Sequence, residues 1–371
     1  MDKQVQDSQE EQQNENPADK KSRRIKNIPL LIVEVCLLLI AVGVMYVVVT
    51  TTDEVERKTI DKEKITINEE IAEIKQQTEE TEQTVKGYYN IALFGVDSRN
   101  GDLGKGNRSD TIIIASINQD TKEIKLISVF RDTFLNLGND SYNKCNAAYA
   151  QGGPEQAISM LNANLDLDIT DYVTVGFGGL IDSVNALGGI EMEVTNAEIS
   201  HLNNYQLTMA EELNVDYIPV EHSGKQLLNG MQATAYCRIR YTKGDDFRRA
   251  ERQRDVLMAM MEKAKRASVG ELTDMVNAIL PEVETSLGVN DILSVLGGVA
   301  GYSVVTSDGF PFEDNRAGIN VGSKGSCVVP IDLEENVIEL HSILYPETDY
   351  KPSKRVTGIS DEIESLTAEY R

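Results

Sequence analysis

The sequence predicts an α/β protein: a layered α-β-α domain with a central mixed sheet, preceded by one transmembrane helix. Two observations predict it. Strand-like and helix-spaced segments interleave from Tyr89 onward, the order expected of helices layered on a mixed sheet. Ahead of them, Ile28 to Val49 is apolar except for Glu34 and long enough as a helix to cross a bilayer. The composition agrees with a folded body, at 41% hydrophobic residues with 27 Gly and 9 Pro in 371 residues.

Residues 1–27 read as a cytoplasmic disordered tail, because Gln, Glu, Asn and Asp dominate and little apolar surface is available to bury. Lys20, Lys21, Arg23, Arg24 and Lys26 close the tail and hold it inside, so the chain after the apolar run lies outside the cytoplasm. A cleaved signal peptide is the rival for residues 28–50. The run is longer than a usual signal core and ends in no convincing small-x-small site, which favours an uncleaved signal anchor. Residues 51–86 read as a helical stalk, with Ile60, Ile67, Ile71 and Ile74 on one face; a short coiled coil is the alternative.

An extracytoplasmic domain spans 87–371, with its core motifs in 89–265. Tyr89 to Val96, Asp110 to Ile117 and Ile124 to Phe130 read as buried strands, the last two joined by the turn-like 118–121. Pro154 to Leu165 has helical spacing, Tyr172 to Val175 reads as a strand and Gly179 to Leu187 as a helix. After Gly188-Gly189, Glu191 to Val194 is a short strand. Ala233 to Tyr241 is expected as a strand and Asp246 to Ala267 as a long helix. A strand near Tyr302 to Val305 and a helix from Asp332 to Leu344 follow.

A net charge of -24 argues against a general nucleic-acid binder, since the two polyanions would repel. It also makes a local group of arginines informative. Arg238 and Arg240, two apart in the expected strand, would leave one face; Arg249 and Arg252, three apart at a helix start with Gln253 beside them, would leave another. Arg131 ends the third strand and Arg108 lies between Asp97 and Asp110. Forked guanidinium donors match phosphate oxygens, and a helix start adds its positive dipole end. Each arginine alone could instead pair with one of the abundant acids. Asp97 and Asp110 both sit at strand edges; two carboxylates meeting there call for a cation, and oxygen ligands favour Mg2+, with Mn2+ as the alternative. Both could equally cap turns. Cys36, Cys145, Cys237 and Cys327 form no CxxC pair, and with only three His a zinc site is disfavoured. Among Cys145, Cys237 and Cys327, one disulfide and three free thiols both remain open.

Several ordered stretches resemble the LytR-CpsA-Psr family of cell-wall glycopolymer transferases. They include Leu93-Phe-Gly-Val-Asp-Ser-Arg99, Arg108-Ser-Asp-Thr111, Arg131-Asp-Thr133, Lys144-Cys-Asn-Ala-Ala-Tyr149, Cys237-Arg-Ile-Arg-Tyr241 and Asp246-Phe-Arg-Arg-Ala-Glu-Arg-Gln253. The resemblance implies Mg-assisted transfer of a glycopolymer from an undecaprenyl-pyrophosphate carrier to the C6 hydroxyl of N-acetylmuramic acid in peptidoglycan. It implies Asp97 and Asp110 as metal ligands and Asp97, Arg131, Arg238 and Arg240 as catalytic residues. Arg108, Lys144, Arg249, Arg252 and Gln253 would complete the pyrophosphate pocket, and the lipid tail would lie in an apolar tunnel. Phe130 stands where the family often has Pro, Arg248 where it often has Gly, and Cys145 where an aliphatic residue is usual. A polyprenyl-pyrophosphate-glycan hydrolase and a non-catalytic carrier-binding or regulatory protein are the competing functions. The type of glycopolymer and the oligomeric state are not legible.

Overall fold

The computed structural model describes residues 64–73, 87–96, 103–240, 245–268, 270, 271, 274, 282–287 and 301–371, all within one compact unit, Thr50–Arg371. The expected tail and membrane anchor lie outside the described residues. No described helix is long and apolar enough to cross a membrane.

The largely apolar runs at the start of the domain become Tyr88–Val96 (β1), Ser109–Asn118 (β2) and Glu123–Val129 (β3), an antiparallel meander. Asn118 closes the β2–β3 turn, its Oδ1 accepting the amides of Asp120 and Thr121 at 2.9 and 3.0 Å. Two short hairpin strands follow, Phe134–Asn136 (β4) and Tyr142–Lys144 (β5). Asp171–Gly176 (β6) runs parallel to β1, while Ile190–Val194 (β7) pairs with Gly224–Leu228 (β8) in a separate hairpin. Val283–Thr285 (β9) is antiparallel to β6, and Ser303–Phe310 (β10) is parallel to β3. Arg316–Asn320 (β11) and Ser326–Pro330 (β12) form the last hairpin. The main sheet has the order β10-β3-β2-β1-β6-β9, the mixed sheet expected from the sequence.

Seven helices surround it among the described residues: Asn146–Leu165 (α1), Phe177–Ala186 (α2), Asn196–Leu213 (α3), Gly230–Arg238 (α4), Asp245–Ala264 (α5), Leu333–Leu344 (α6) and Lys354–Thr367 (α7). The period-2 alternation of the strands sorts their side chains. Ala92, Phe94, Ile112 and Ile114 pack with Ile158 and Leu161 of α1, Val337 of α6 and Ile359 of α7. Ile91, Ile113, Ala115 and Ile117 face the opposite way, toward Leu257 and Met261 of α5. Each fully buried aliphatic side chain contributes about 1.5–3 kcal/mol to this layering. A third cluster joins the β7–β8 hairpin to Val184, Leu202, Tyr236 and Val256 on α2 to α5.

The structure corrects several expectations. Ala233 to Tyr241, expected as a strand, is helical as far as Arg238. Asn229 and Gln232 form a reciprocal capping box that starts α4, and this local signal overrides the β-like alternation that follows it. The helix expected from Pro154 begins earlier, at Asn146, and kinks at Gly153, whose φ of 70° and ψ of -158° interrupt it before Pro154. Residues 64–68, assigned by sequence to the stalk, lie against the body: Ile65 joins the core, and the buried Asn68 amide donates to the Ala163 carbonyl and to Asp166. Cys145, Cys237 and Cys327 are free and buried. His341 is also structural; its Nε2 lies 2.8 Å from the Leu165 carbonyl and its ring stacks on Tyr350.

Candidate anion-binding site

The site grows from an irregularity in the β1–β2 pairing. Gly95 pairs with Thr111 and Val96 with Ser109, so Asp110 is the extra residue of a bulge at the sheet edge. A bulge re-aims one side chain out of the pleat. Gly95 makes the approach possible, since a Cβ there would fall 2.9 Å from the Thr111 Cβ. Asp97, one residue beyond β1, lies outside the described residues.

Three guanidinium groups from three separate segments reach the Asp110 carboxylate. Arg131, in the turn after β3, donates from Nη1 to Oδ1 at 2.9 Å. Arg249, in the first turns of α5, donates from Nη2 to Oδ2 at 2.9 Å. Arg240, just past α4, brings Nη2 to 3.6 Å from Oδ2. The turn bearing Arg131 is fixed by Phe130, whose carbonyl accepts the Thr133 amide at 2.8 Å and its hydroxyl at 2.6 Å. Asp132 pairs with Lys144 of β5 at 3.1 Å and with Arg131 Nε at 3.4 Å. Asp110, Ser128, Arg131, Asp132, Arg249 and Gln253 line one narrow cleft, with Phe130 and Val328 as its apolar side.

Burial alone would raise the Asp110 carboxyl, but Arg249 and Arg131 outweigh it and hold it below the usual carboxylate value. Arg249 is shifted the unfavourable way. Burial lowers it most, and repulsion by Arg240 and Arg131 adds to that against the attraction of Asp110. One carboxylate thus receives three guanidinium groups, while Lys144 is paired with Asp132. The side chain of Arg249 is 4% exposed, yet its Nε and Nη1 have no hydrogen-bond partner, and neither does the buried hydroxyl of Ser128. Buried donors without acceptors are costly in a folded protein unless something else binds them.

Not every arginine singled out in the sequence joins this cleft. Arg252 turns instead to Glu198, donating from Nε at 2.8 Å and reaching it from Nη2 at 2.8 Å, while its Nη1 donates to the Ile239 carbonyl at 3.1 Å. It therefore steadies the segment that carries Arg240. Arg238 lies in the last turn of α4 with its Cζ 5.6 Å from the Tyr205 ring centre, and Arg108 is exposed in the loop before β2. The expected same-face pairing of Arg238 and Arg240 fails with the strand that would have produced it. Glu198 and Ser128 are not singled out by sequence pattern, whereas Asp132 belongs to the quoted Arg131-Asp-Thr133 stretch. Of the first two, only Glu198 has a local signal, the Thr195-x-x-Glu198 capping box that opens α3.

As for a metal, Asp110 supplies a hard, ionised oxygen donor of the kind Mg2+ takes together with substrate phosphates. Among the described residues, no group of three His, Cys, Asp or Glu converges. The donor chemistry thus fits Mg2+ through Asp110; the other expected ligand, Asp97, lies outside the described residues.

Fold and site together define a class: a mixed-sheet α/β/α body whose sheet edge presents a guanidinium-rich cleft for an anion. The chain belongs to the LytR_cpsA_psr family, whose sequence model matches residues 44–319. It is 31% identical over 210 residues to the polyisoprenyl-teichoic acid–peptidoglycan teichoic acid transferase TagU of Enterococcus faecalis, a match covering 56% of this chain and 64% of that protein. It is 30% identical over 228 residues to biofilm regulatory protein A of Streptococcus mutans, covering 58% and 53%. The chain thus spans less than two thirds of the length of these relatives. The crystal structure of TagV from Bacillus subtilis is similar with a TM-score of 0.55 and 26% identity, covering 72% of this chain and 99% of that one.

Proposed function

We propose that this chain is a phosphotransferase, anchored to the membrane through residues 28–50, that moves a glycopolymer from an undecaprenyl-pyrophosphate carrier to the C6 hydroxyl of N-acetylmuramic acid in peptidoglycan. The observation that carries this reading is the convergence of Arg131, Arg240 and Arg249 on Asp110, with the buried Nε and Nη1 of Arg249 to spare. Guanidinium forks of this kind match the oxygens of a doubly esterified diphosphate, which carries two negative charges. The name of the E. faecalis relative gives the polyisoprenyl carrier and the peptidoglycan acceptor.

In this reading Asp110 holds the place of the anion. The free space in the cleft is about 20 Å³, room for roughly one water. A diphosphate enters as Arg131 and Arg249 turn from Asp110 to its oxygens. The acceptor oxygen attacks the glycan-side phosphorus, the bridging P–O bond breaks, polyprenyl phosphate leaves, and the hydroxyl proton passes to the departing phosphate. Guanidinium forks already in place stabilise the charge that develops on the leaving phosphate, so no protein nucleophile is required. Arg131, Arg240 and Arg249 do this, with Gln253 and Lys144 at the margin. Arg238 and Arg108 border the region in sequence, and Arg252 acts by positioning. Mg2+, held by Asp110 and Asp97, would neutralise diphosphate charge when bound.

The test is to incubate the full chain in detergent with lipid-linked glycan, with and without peptidoglycan. Polyprenyl phosphate release that rises with peptidoglycan, together with glycan made covalent to the wall, is the expected result. Release at a rate that peptidoglycan does not change would make the chain a hydrolase instead.

A further inference from the structure

A second depression lies against the β4–β5 hairpin, lined by residues other than those of the cleft, and nothing in the proposed chemistry uses it. It is an open groove of about 480 Å³, within the range of small-ligand sites. Its floor is Tyr142 of β5, backed by the buried Phe134 of β4, with ring centres 6.2 Å apart and planes tilted by 32°. Tyr370 and Leu366 form one wall and remain 39% and 38% exposed. Its rim carries Glu362, Glu369, Asp140 and Lys324, with Asp140 paired to Arg355.

We infer that this groove is a saccharide subsite for the glycan strand of the acceptor, an inference that rests on the phosphotransferase reading. Flat ring faces beside carboxylates and phenol hydroxyls are the surface a pyranose needs. The rings cover its C–H faces, and the oxygens accept from its hydroxyls. Charge decides between the two glycans of the reaction. With Asp140 neutralised by Arg355, two glutamates still outnumber Lys324, so the rim disfavours a polyanionic donor polymer more than a wall strand whose lactyl carboxyls are amide-linked to stem peptides.

Position supports the same occupant. Phe134 pairs directly with Lys144, and Lys144 binds Asp132 in the cleft. Tyr142 is two residues before Lys144 on the same strand, about 7 Å along it. A strand of sugars with one hydroxyl in the cleft therefore passes over the groove, and holding it there raises the local concentration of acceptor. Most of the groove is built from residues 321–370, beyond the 44–319 matched by the family model, so this wall belongs to the chain's own C-terminal segment.

The experiment is calorimetric titration of the full chain in detergent with three probes: a GlcNAc–MurNAc tetrasaccharide whose lactyl carboxyls are amidated, a glycerol-phosphate oligomer and farnesyl pyrophosphate. Wild type is compared with Tyr370→Ala and with Tyr370→Ala/Glu362→Gln. The expected result is that the tetrasaccharide binds wild type and weakens by about fivefold or more in Tyr370→Ala, as for loss of one stacking ring. Farnesyl pyrophosphate affinity stays unchanged, and the anionic oligomer gains nothing from the groove. Equal tetrasaccharide affinity in wild type and the double variant, absent tetrasaccharide binding, or an oligomer affinity that falls with Tyr370 would overturn the subsite. Absent farnesyl pyrophosphate binding would instead strike the phosphotransferase reading, which keeps the two failures distinct.

Discussion

Arg249 and Arg252 lie one turn apart on α5 and meet carboxylates in opposite circumstances. Arg252 and Glu198 are buried together, with side chains 1% and 3% exposed, and their bonds close on each other. One Glu198 oxygen takes Arg252, and the other accepts the Thr195 amide at 2.9 Å and its hydroxyl at 2.8 Å. Arg249 shares Asp110 with two other arginines and keeps donors unsatisfied. The same residue types thus serve two ends. A balanced pair fixes structure, whereas an over-supplied carboxylate stores affinity for an anion that arrives later. The pattern that separates them is stoichiometry and satisfaction, not burial.

The comparison is broken most forcefully at the balanced pair. Arg252→Ala or Glu198→Ala should cost about 3–5 kcal/mol of stability, because each leaves a buried charge alone. Denaturant unfolding measures it; a loss under about 1 kcal/mol would mean the pair is not structural. Arg249→Met should do the reverse. It removes a guanidinium that its neighbours repel, so stability should change by less than about 1.5 kcal/mol. Transfer should fall at least about a hundredfold, the scale of losing a transition-state donor. Full activity in a folded Arg249→Met would remove Arg249 from the site. Arg240→Lys is a finer probe: about tenfold lower transfer is expected, since an ammonium lacks the fork. Equal turnover would show that Arg240 supplies charge alone.

The smallest effect is in pH. Burial pushes the Glu198 carboxyl up, but hydrogen bonds from Thr195 and Arg252 outweigh it and leave it lowered. A lowered folded value means that Glu198 contributes stability above its unfolded value near about 4.3 and loses it as pH falls through the folded one. The stability gap between wild type and Glu198→Gln should therefore narrow between about pH 5 and pH 3. A gap that stays constant would show that the charge of Glu198 is immaterial.

How legible each region is in the sequence follows from the range of its interactions. The β1 to β3 meander and α5 announce themselves by local periodicity, and Arg131, Asp110 and Arg249 sit at their ends, so those residues are readable. Arg252 is misread because its partner lies 54 residues away on a helix whose only sequence signal is a capping box. The alternation in Ala233 to Tyr241 imitates a strand, and the Asn229–Gln232 cap, although present in the sequence, was outweighed by it. The groove over Phe134 and Tyr142 depends on a C-terminal helix that packs back across the chain, which no local pattern reports.

The most direct measurement is the affinity of farnesyl pyrophosphate for the full chain, wild type against Arg249→Met, at fixed salt. Convergence of Arg131, Arg240 and Arg249 on one diphosphate predicts that the variant binds at least about tenfold more weakly, the worth of one charge-assisted hydrogen bond, while unfolding at the wild-type denaturant midpoint. Undiminished binding by the variant would contradict it.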